Sequence, residues 1–308
     1  MENTRAKTTR NSLILLLTAT IWGMAFVSQS KGMDYMHPFT FNGVRSLIGA
    51  AGILVYILIS RKIAGDKAAK LDWKLNVKAG LLCGIFLTIA STLQQFGIKY
   101  TSVGKAGFIT TLYIIFVPMF GIFLKKKVAP VVWAAAGMAA VGMYLLCMTE
   151  SLRLGAGDIM VFLCAIAFAI QIMTVDHYAA RIDGAVVSCI QFTVCGVVCC
   201  IGALIWGQPT FGQIQEGLGA LLYAGVLSCG VGYTLQIVGQ KGLNPTVAAL
   251  IMSLESVIAT ISGWIAYKIG FLSTDQTLTP RQIVGCVIVF AAVILVQLPP
   301  EWFRFGKK

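Results

Sequence analysis

Charged side chains are scarce in this 308-residue chain: Asp, Glu, Lys and Arg together make up 12% of it, hydrophobic residues 57%, and the mean hydropathy is +0.83. So few charges cannot cover so much apolar surface in water, which leaves a membrane protein and argues against a soluble enzyme, a secreted disulfide scaffold or a soluble DNA-binding domain. Histidine is nearly missing. His37 and His177 lie in polar breaks on opposite sides, so neither a His-based catalytic dyad nor a His/Cys zinc site is expected. The nine cysteines show no C-x-x-C spacing and all fall in apolar stretches, where they read as small packing residues. With no recognisable nucleophile motif either, an enzyme is disfavoured.

Acidic residues are half as common as basic ones, 12 against 24, leaving a net charge of +12. An excess of that sign can mark a nucleic-acid partner, so its placement matters. Ten apolar stretches of about the 20 residues that a bilayer requires are expected near 12–29, 38–60, 76–98, 103–124, 128–148, 156–175, 184–207, 217–240, 245–267 and 281–298. An even number of spans puts both termini on one side. With that side taken as cytoplasmic, it collects seventeen of the basic residues, among them Arg5, Arg61, Lys62, Lys125, Arg181, Lys241 and Lys308. The other side holds six, and Arg45 alone lies within a span. The positive-inside rule therefore accounts for the charge, and no nucleic-acid partner is expected. The basic tails 1–11 and 299–308 are expected in the cytoplasm. Residues Arg5 to Leu17 could open a signal peptide, but the apolar run continues past Trp22 with no small-residue cleavage site.

Displaced by 142 positions, Thr92–Gly121 aligns without gaps on Thr234–Gly263 with nine identities, including Gln94/Gln236, Gly97/Gly239, Lys99/Lys241 and Leu112/Leu254. About two or three are expected from so biased a composition. The same displacement sets Ala25, Phe26, Gln29 and Asp34 on Ala167, Phe168, Gln171 and Asp176. Residues 12–148 and 156–298 thus read as two five-span repeats. Five is odd, so the second copy starts on the opposite side from the first. Inverted repeats of this kind are the architecture of secondary transporters, with a solute site near the midplane between the halves.

Polar or small residues at helical spacing mark inward faces. Span one carries Trp22 and Gln29, span three Gln95, span eight Cys229, Tyr233 and Gln236, and span nine Glu255. Small residues alone serve helix packing equally well; Gln, Tyr and Trp on the same faces are harder to explain that way. Spans five and ten, rich in Ala, Gly and aliphatics, read as packing scaffold and as a candidate homodimer contact. Arg45 and Glu255 are ionisable groups deep in the spans, where such groups are costly and often mark ion or solute paths. They could also pair with each other. Tyr113 stands in the first repeat where Glu255 stands in the second. Asn244-Pro245 should start span nine sharply, and Pro118 should kink span four.

The ten spans, the two repeats and the segment Gln94-Gln95-Phe96-Gly97-Ile98-Lys99-Tyr100 through Phe108 to Pro118 resemble the EamA-type permeases of the drug/metabolite transporter superfamily. The resemblance implies an all-α carrier of the bacterial inner membrane with a central cavity and no bound cofactor, commonly an exporter of amino acids, related metabolites or drugs. The family's Leu-Glu-Pro pattern is matched by Leu254-Glu255, but Ser256 replaces the proline, which puts a proline-dependent bend there in doubt.

The expected solute-binding residues are Trp22, Arg45, Gln94, Gln95, Tyr113, Gln171, Tyr233, Gln236 and Glu255. The expected partners are a small polar solute and the bilayer, with protons a candidate coupling ion. The leading expectation is alternating-access export of amino acids or similar metabolites. Efflux of quaternary ammonium or other lipophilic cations is the alternative, and a channel or sensor a more distant one.

Overall fold

The computed structural model describes residues 2–65, 71–124, 128–147, 155–273 and 275–297. The basic C-terminal tail and Lys67, Lys70, Lys125 to Lys127 and Arg153 lie outside them. The described residues are helical, without strands. Eight helical segments are long and apolar enough to cross a bilayer: Ala6–Gly32, Pro38–Ala64, Trp73–Tyr100, Val103–Phe123, Ala156–Tyr178, Gly184–Gly207, Leu218–Gln240 and Pro245–Lys268. Two further apolar helices, Pro130–Cys147 and Pro280–Gln297, are shorter. The chain is a multi-pass membrane protein.

In chain order the helices are α1 (Glu2–Gly32), α2 (Pro38–Ala64), α3 (Trp73–Tyr100), α4 (Val103–Thr111), α5 (Tyr113–Phe123), α6 (Pro130–Cys147), α7 (Ala156–Tyr178), α8 (Gly184–Gly202), α9 (Phe211–Glu216), α10 (Leu218–Leu222), α11 (Tyr233–Gln240), α12 (Pro245–Met252), α13 (Glu255–Lys268) and α14 (Pro280–Gln297). Wider π-helical turns continue α8 over Ala203–Gly207 and join α10 to α11 over Tyr223–Gly232.

Local chemistry sets the starts of these helices. Asn244 caps α12 through its Oδ1, which accepts from the Thr246 amide at 2.9 Å, and Pro245 follows in the first turn, where no amide donor is missed. His37 caps α2 in the same way, its Nδ1 accepting from the Phe39 amide ahead of Pro38. Burial and the nearby Lys99 hold the His37 pKa below the ordinary histidine value, which keeps the ring neutral and preserves that acceptor.

Spans four and nine are interrupted. Span four breaks at Leu112, between α4 and α5, and span nine at Ser253 and Leu254, between α12 and α13. At both breaks the backbone tightens to three-residue hydrogen bonds, Leu112 to Ile109 and Leu254 to Ile251. Span four therefore breaks six residues before Pro118, which sits inside α5. Span nine breaks without a proline: the Ser253 and Ser256 hydroxyls bond back to the carbonyls of Leu250 and Ser253, a use of serine that bends helices.

Packing pairs α3 with α7 and α8, α2 with α8, α1 with α11 and α13, α4 and α5 with α7, and α6 with α14. Close approach needs glycine at two of these contacts. A Cβ on Gly97 would lie 2.8 Å from the Gly157 carbonyl oxygen, between α3 and α7; one on Gly239 would lie 2.8 Å from Leu15 Cδ2, between α11 and α1. Gly97→Leu is expected to lower stability by about 1–3 kcal/mol, the usual cost of overpacking, read as a fall in the unfolding midpoint of the detergent-purified chain. An unchanged midpoint would show that α3 and α7 separate easily.

Candidate functional site

The two breaks meet at the centre of the bundle. Tyr113 is the first residue of α5 and Glu255 the first of α13, and the Tyr113 hydroxyl donates to Glu255 Oε1 at 2.9 Å. The partners are 142 residues apart in sequence, the interval found between the matching segments. Both are buried, Glu255 being 4% exposed. An acidic group at the first turn of a helix also faces its positive dipole end.

A small cavity opens beside this pair, lined by residues of spans one to four and six to nine. The room it leaves for water is about 30 Å³, enough for roughly two molecules. Of the nine residues expected at a solute site, Trp22, Arg45, Gln94, Tyr113, Gln171, Tyr233, Gln236 and Glu255 line this cavity. Gln95 does not: it is fully buried, and its Nε2 donates to the Gln29 carbonyl at 3.1 Å. Adjacent helix positions cannot share a face, so Gln94 took the inward one. No described residue of spans five and ten lines the cavity.

Aromatic rings form one wall. Trp22 and Tyr233 lie 4.5 Å apart between centroids, and Phe192 meets Tyr233 edge-on at 5.0 Å. Only a glycine at 232 allows the Trp22 indole so close to the backbone, since a Cβ there would lie 2.6 Å from Nε1. Amides form another. Gln171 and Gln236 bond reciprocally, at 3.1 and 3.5 Å, and Gln94 Nε2 donates to the Thr110 hydroxyl at 3.2 Å. Span seven, which holds none of the expected site residues, supplies Phe192, an apolar residue that the sequence does not set apart from the core. Ser46, Thr110 and Ser228 complete the polar surface, and as small residues they gave no signal distinct from packing.

Arg45 is 5% exposed, and its buried Nε has no hydrogen-bond acceptor. The expected alternative of an Arg45–Glu255 ion pair is not formed: among the described residues the ion pairs are Lys31–Asp34 and Lys105–Asp158. The guanidinium instead lies over the Phe41 ring, 5.3 Å from its centroid. The Trp22 Nε1 and Gln29 Oε1 atoms are likewise buried without partners. One small chamber thus holds a cation, an indole N–H and an amide oxygen whose hydrogen-bonding capacity the protein leaves unused.

Residues 10–148 and 155–298 each match the EamA-like transporter family. An uncharacterized transporter of Archaeoglobus fulgidus is 28% identical over 290 residues, spanning 92% of this chain and 84% of the relative. The uncharacterized transporter YwfM of Bacillus subtilis is 24% identical over 94% of each chain. A solved crystal structure superimposes with a TM-score of 0.74 at 16% identity, covering 96% of this chain and 99% of that one, a likeness of fold.

Removing the Tyr113 hydroxyl leaves the buried Glu255 oxygen without its protein partner. Tyr113→Phe is expected to lower stability by about 1–3 kcal/mol, whereas Glu255→Gln, which keeps an acceptor for the phenol, costs less. Unfolding midpoints of the two variants in detergent decide this, and the reverse order would contradict it.

Proposed function

Because the chain belongs to the EamA-like transporter family, we propose that it is an alternating-access carrier of two inverted five-helix repeats that exports a small zwitterionic metabolite, such as an amino acid, across the bacterial inner membrane. Membrane transport follows from the family. Solute, mechanism and direction are the proposal.

Several correspondences at the 142-residue interval support inverted repeats. The helix breaks at Leu112 and at Ser253–Leu254 coincide at that interval, and interrupted helices at matching positions in two halves point to a carrier's binding site. The pairing of α1 with α11 has its counterpart in α7 with α3, and that of α1 with α12 and α13 in α7 with α4 and α5. The bias of basic residues supports cytoplasmic termini.

One observation carries the solute class: the buried guanidinium of Arg45, without a carboxylate partner, faces the same cavity as the Glu255 carboxyl group. Leaving a charge unpaired in a buried site is costly, and a solute that brings its own carboxylate offsets that cost while it is bound. Its ammonium group meets Glu255 and the faces of Trp22 and Tyr233. With water-sized room of about 30 Å³, the chamber is too small to hold an amino acid as it stands. Admitting a solute requires the halves to rock apart on one face, the motion that alternating access supplies. Glu255 is also the proposed carrier of a coupling proton, since a carboxyl group that gains and loses its phenol partner can gain and lose a proton.

The aromatic wall favours a second reading, efflux of organic cations, which needs Glu255, Trp22 and Tyr233 but not Arg45. Uptake into proteoliposomes separates the two. Arg45→Gln should reduce amino-acid transport by about tenfold or more, and Glu255→Gln should flatten its pH dependence. Transport of tetraalkylammonium ions that Arg45→Gln leaves intact, with no competition by amino acids, would overturn the zwitterion reading. An unchanged pH profile in Glu255→Gln would remove that residue from proton coupling.

A further inference from the structure

A second and larger cavity, of about 630 Å³, shares no lining residue with the central chamber and opens where α2 and α11 end and α3 and α8 begin. It lies on the face that carries the start of α1, since Asn11 Nδ2 donates to the Lys241 carbonyl there. Its lining includes three basic residues, Arg61, Arg181 and Lys241, and two acidic ones, Asp72 and Asp183. The carboxylates are already engaged. Asp72 Oδ1 accepts from the Leu75 amide, and Asp183 Oδ1 from the amides of Ala185 and Val186, so both serve as helix caps. Arg181 and Lys241 donate to backbone carbonyls, those of His177 and Ile182, contacts that neutralise neither, and three cations against two carboxylates leave the lining with a net positive charge.

This basic chamber continues into an apolar groove. The groove, about 400 Å³, runs along the outside of the bundle between α2 and the π-helical Tyr223–Gly232 stretch and shares Tyr56, Thr234 and Val238 with the chamber. Its walls face outward, Tyr56 being 61% exposed and Val226 44%. Gly52 leaves the groove open, because nothing lies within 4 Å of where its Cβ would be. Measured along α2 from Arg61 to Gly49, the track is about 18 Å long at 1.5 Å per residue. That is close to the depth of one leaflet, half of a hydrocarbon core about 30 Å thick.

A cationic head chamber joined to a lipid-facing apolar slot of leaflet depth complements one kind of molecule. We propose that this track binds an anionic glycerophospholipid of the leaflet on that face, its phosphate among Arg61, Arg181 and Lys241 and one acyl chain along Gly52. The bound lipid bridges α2 to α11 and to the α7–α8 turn, and so ties together elements of both halves of the chain. This site is independent of the solute and of the transport mechanism.

Native mass spectrometry of the detergent-purified full chain tests it, with dioleoyl phosphatidylglycerol, dioleoyl phosphatidylcholine and glycerol 3-phosphate as probes. The expected result is retention of phosphatidylglycerol in preference to phosphatidylcholine, with no retention of glycerol 3-phosphate. Arg181→Gln, at an exposed position, should reduce that preference by about fivefold. Joint neutralisation of Arg61, Arg181 and Lys241 should abolish it. Gly52→Leu fills the groove and should weaken both lipids alike. Equal retention of the two lipids by the native chain, glycerol 3-phosphate binding as well as phosphatidylglycerol, full preference in Arg181→Gln, or unchanged binding in Gly52→Leu would each overturn the proposal.

Discussion

A carboxyl group in the hydrocarbon layer must find a hydrogen-bond partner or face a large desolvation cost, and for Glu255 that partner is the phenol of Tyr113. Much of the architecture serves to bring the two together. Spans four and nine each break where these residues begin a new helix, which frees the local backbone to turn both side chains inward. Gly97 and Gly239 let α3 approach α7, and α11 approach α1, closely enough to close the bundle around the contact. Residues of eight spans, from both halves of the chain, line the chamber that results.

The chamber is not symmetric, and its asymmetry bears on transport. Gln171 and Gln236 bond to each other, and Gln240 Nε2 reaches the Ile172 carbonyl, so amides hold α7 and α11 together toward the face that carries Lys241. At the positions 142 residues earlier, Gln94 bonds Thr110 instead and the Gln29 Oε1 has no partner. Amides therefore tie α7 to α11, while the corresponding Gln29 oxygen on α1 stays unpaired, so the two sides of the chamber are held by different contacts.

Much of this was legible in the sequence because hydrocarbon is an unforgiving solvent. The spans follow from apolar length, and Gln, Tyr, Trp, Arg and Glu stand out within them because each needs a reason to be there. What the sequence did not disclose is geometric. Gln94 and Gln95 are equally polar, and only the helix phase decides that Gln95 turns to the Gln29 carbonyl. The break in span nine was in doubt without a proline, since the back-bonding of Ser253 and Ser256 does the work with common residues. The π-helical turns of Tyr223–Gly232 leave no compositional mark, yet they shape both the chamber and the outer groove. Arg45 and Glu255 were natural partners by charge, and their separation emerges only once the helices are placed.

The proposed inversion of the two halves makes the most direct claim about the chain in its membrane. Lys99 and Lys241 are identical residues at matching positions of the repeats, and inversion places them on opposite faces of the bilayer. Sealed, uniformly oriented vesicles treated with a membrane-impermeant amine reagent, with modified sites located by mass spectrometry, read this out without any substitution. The account predicts that one of the two lysines is modified in sealed vesicles and the other only after the vesicles are opened. Modification of both from the same side would contradict it.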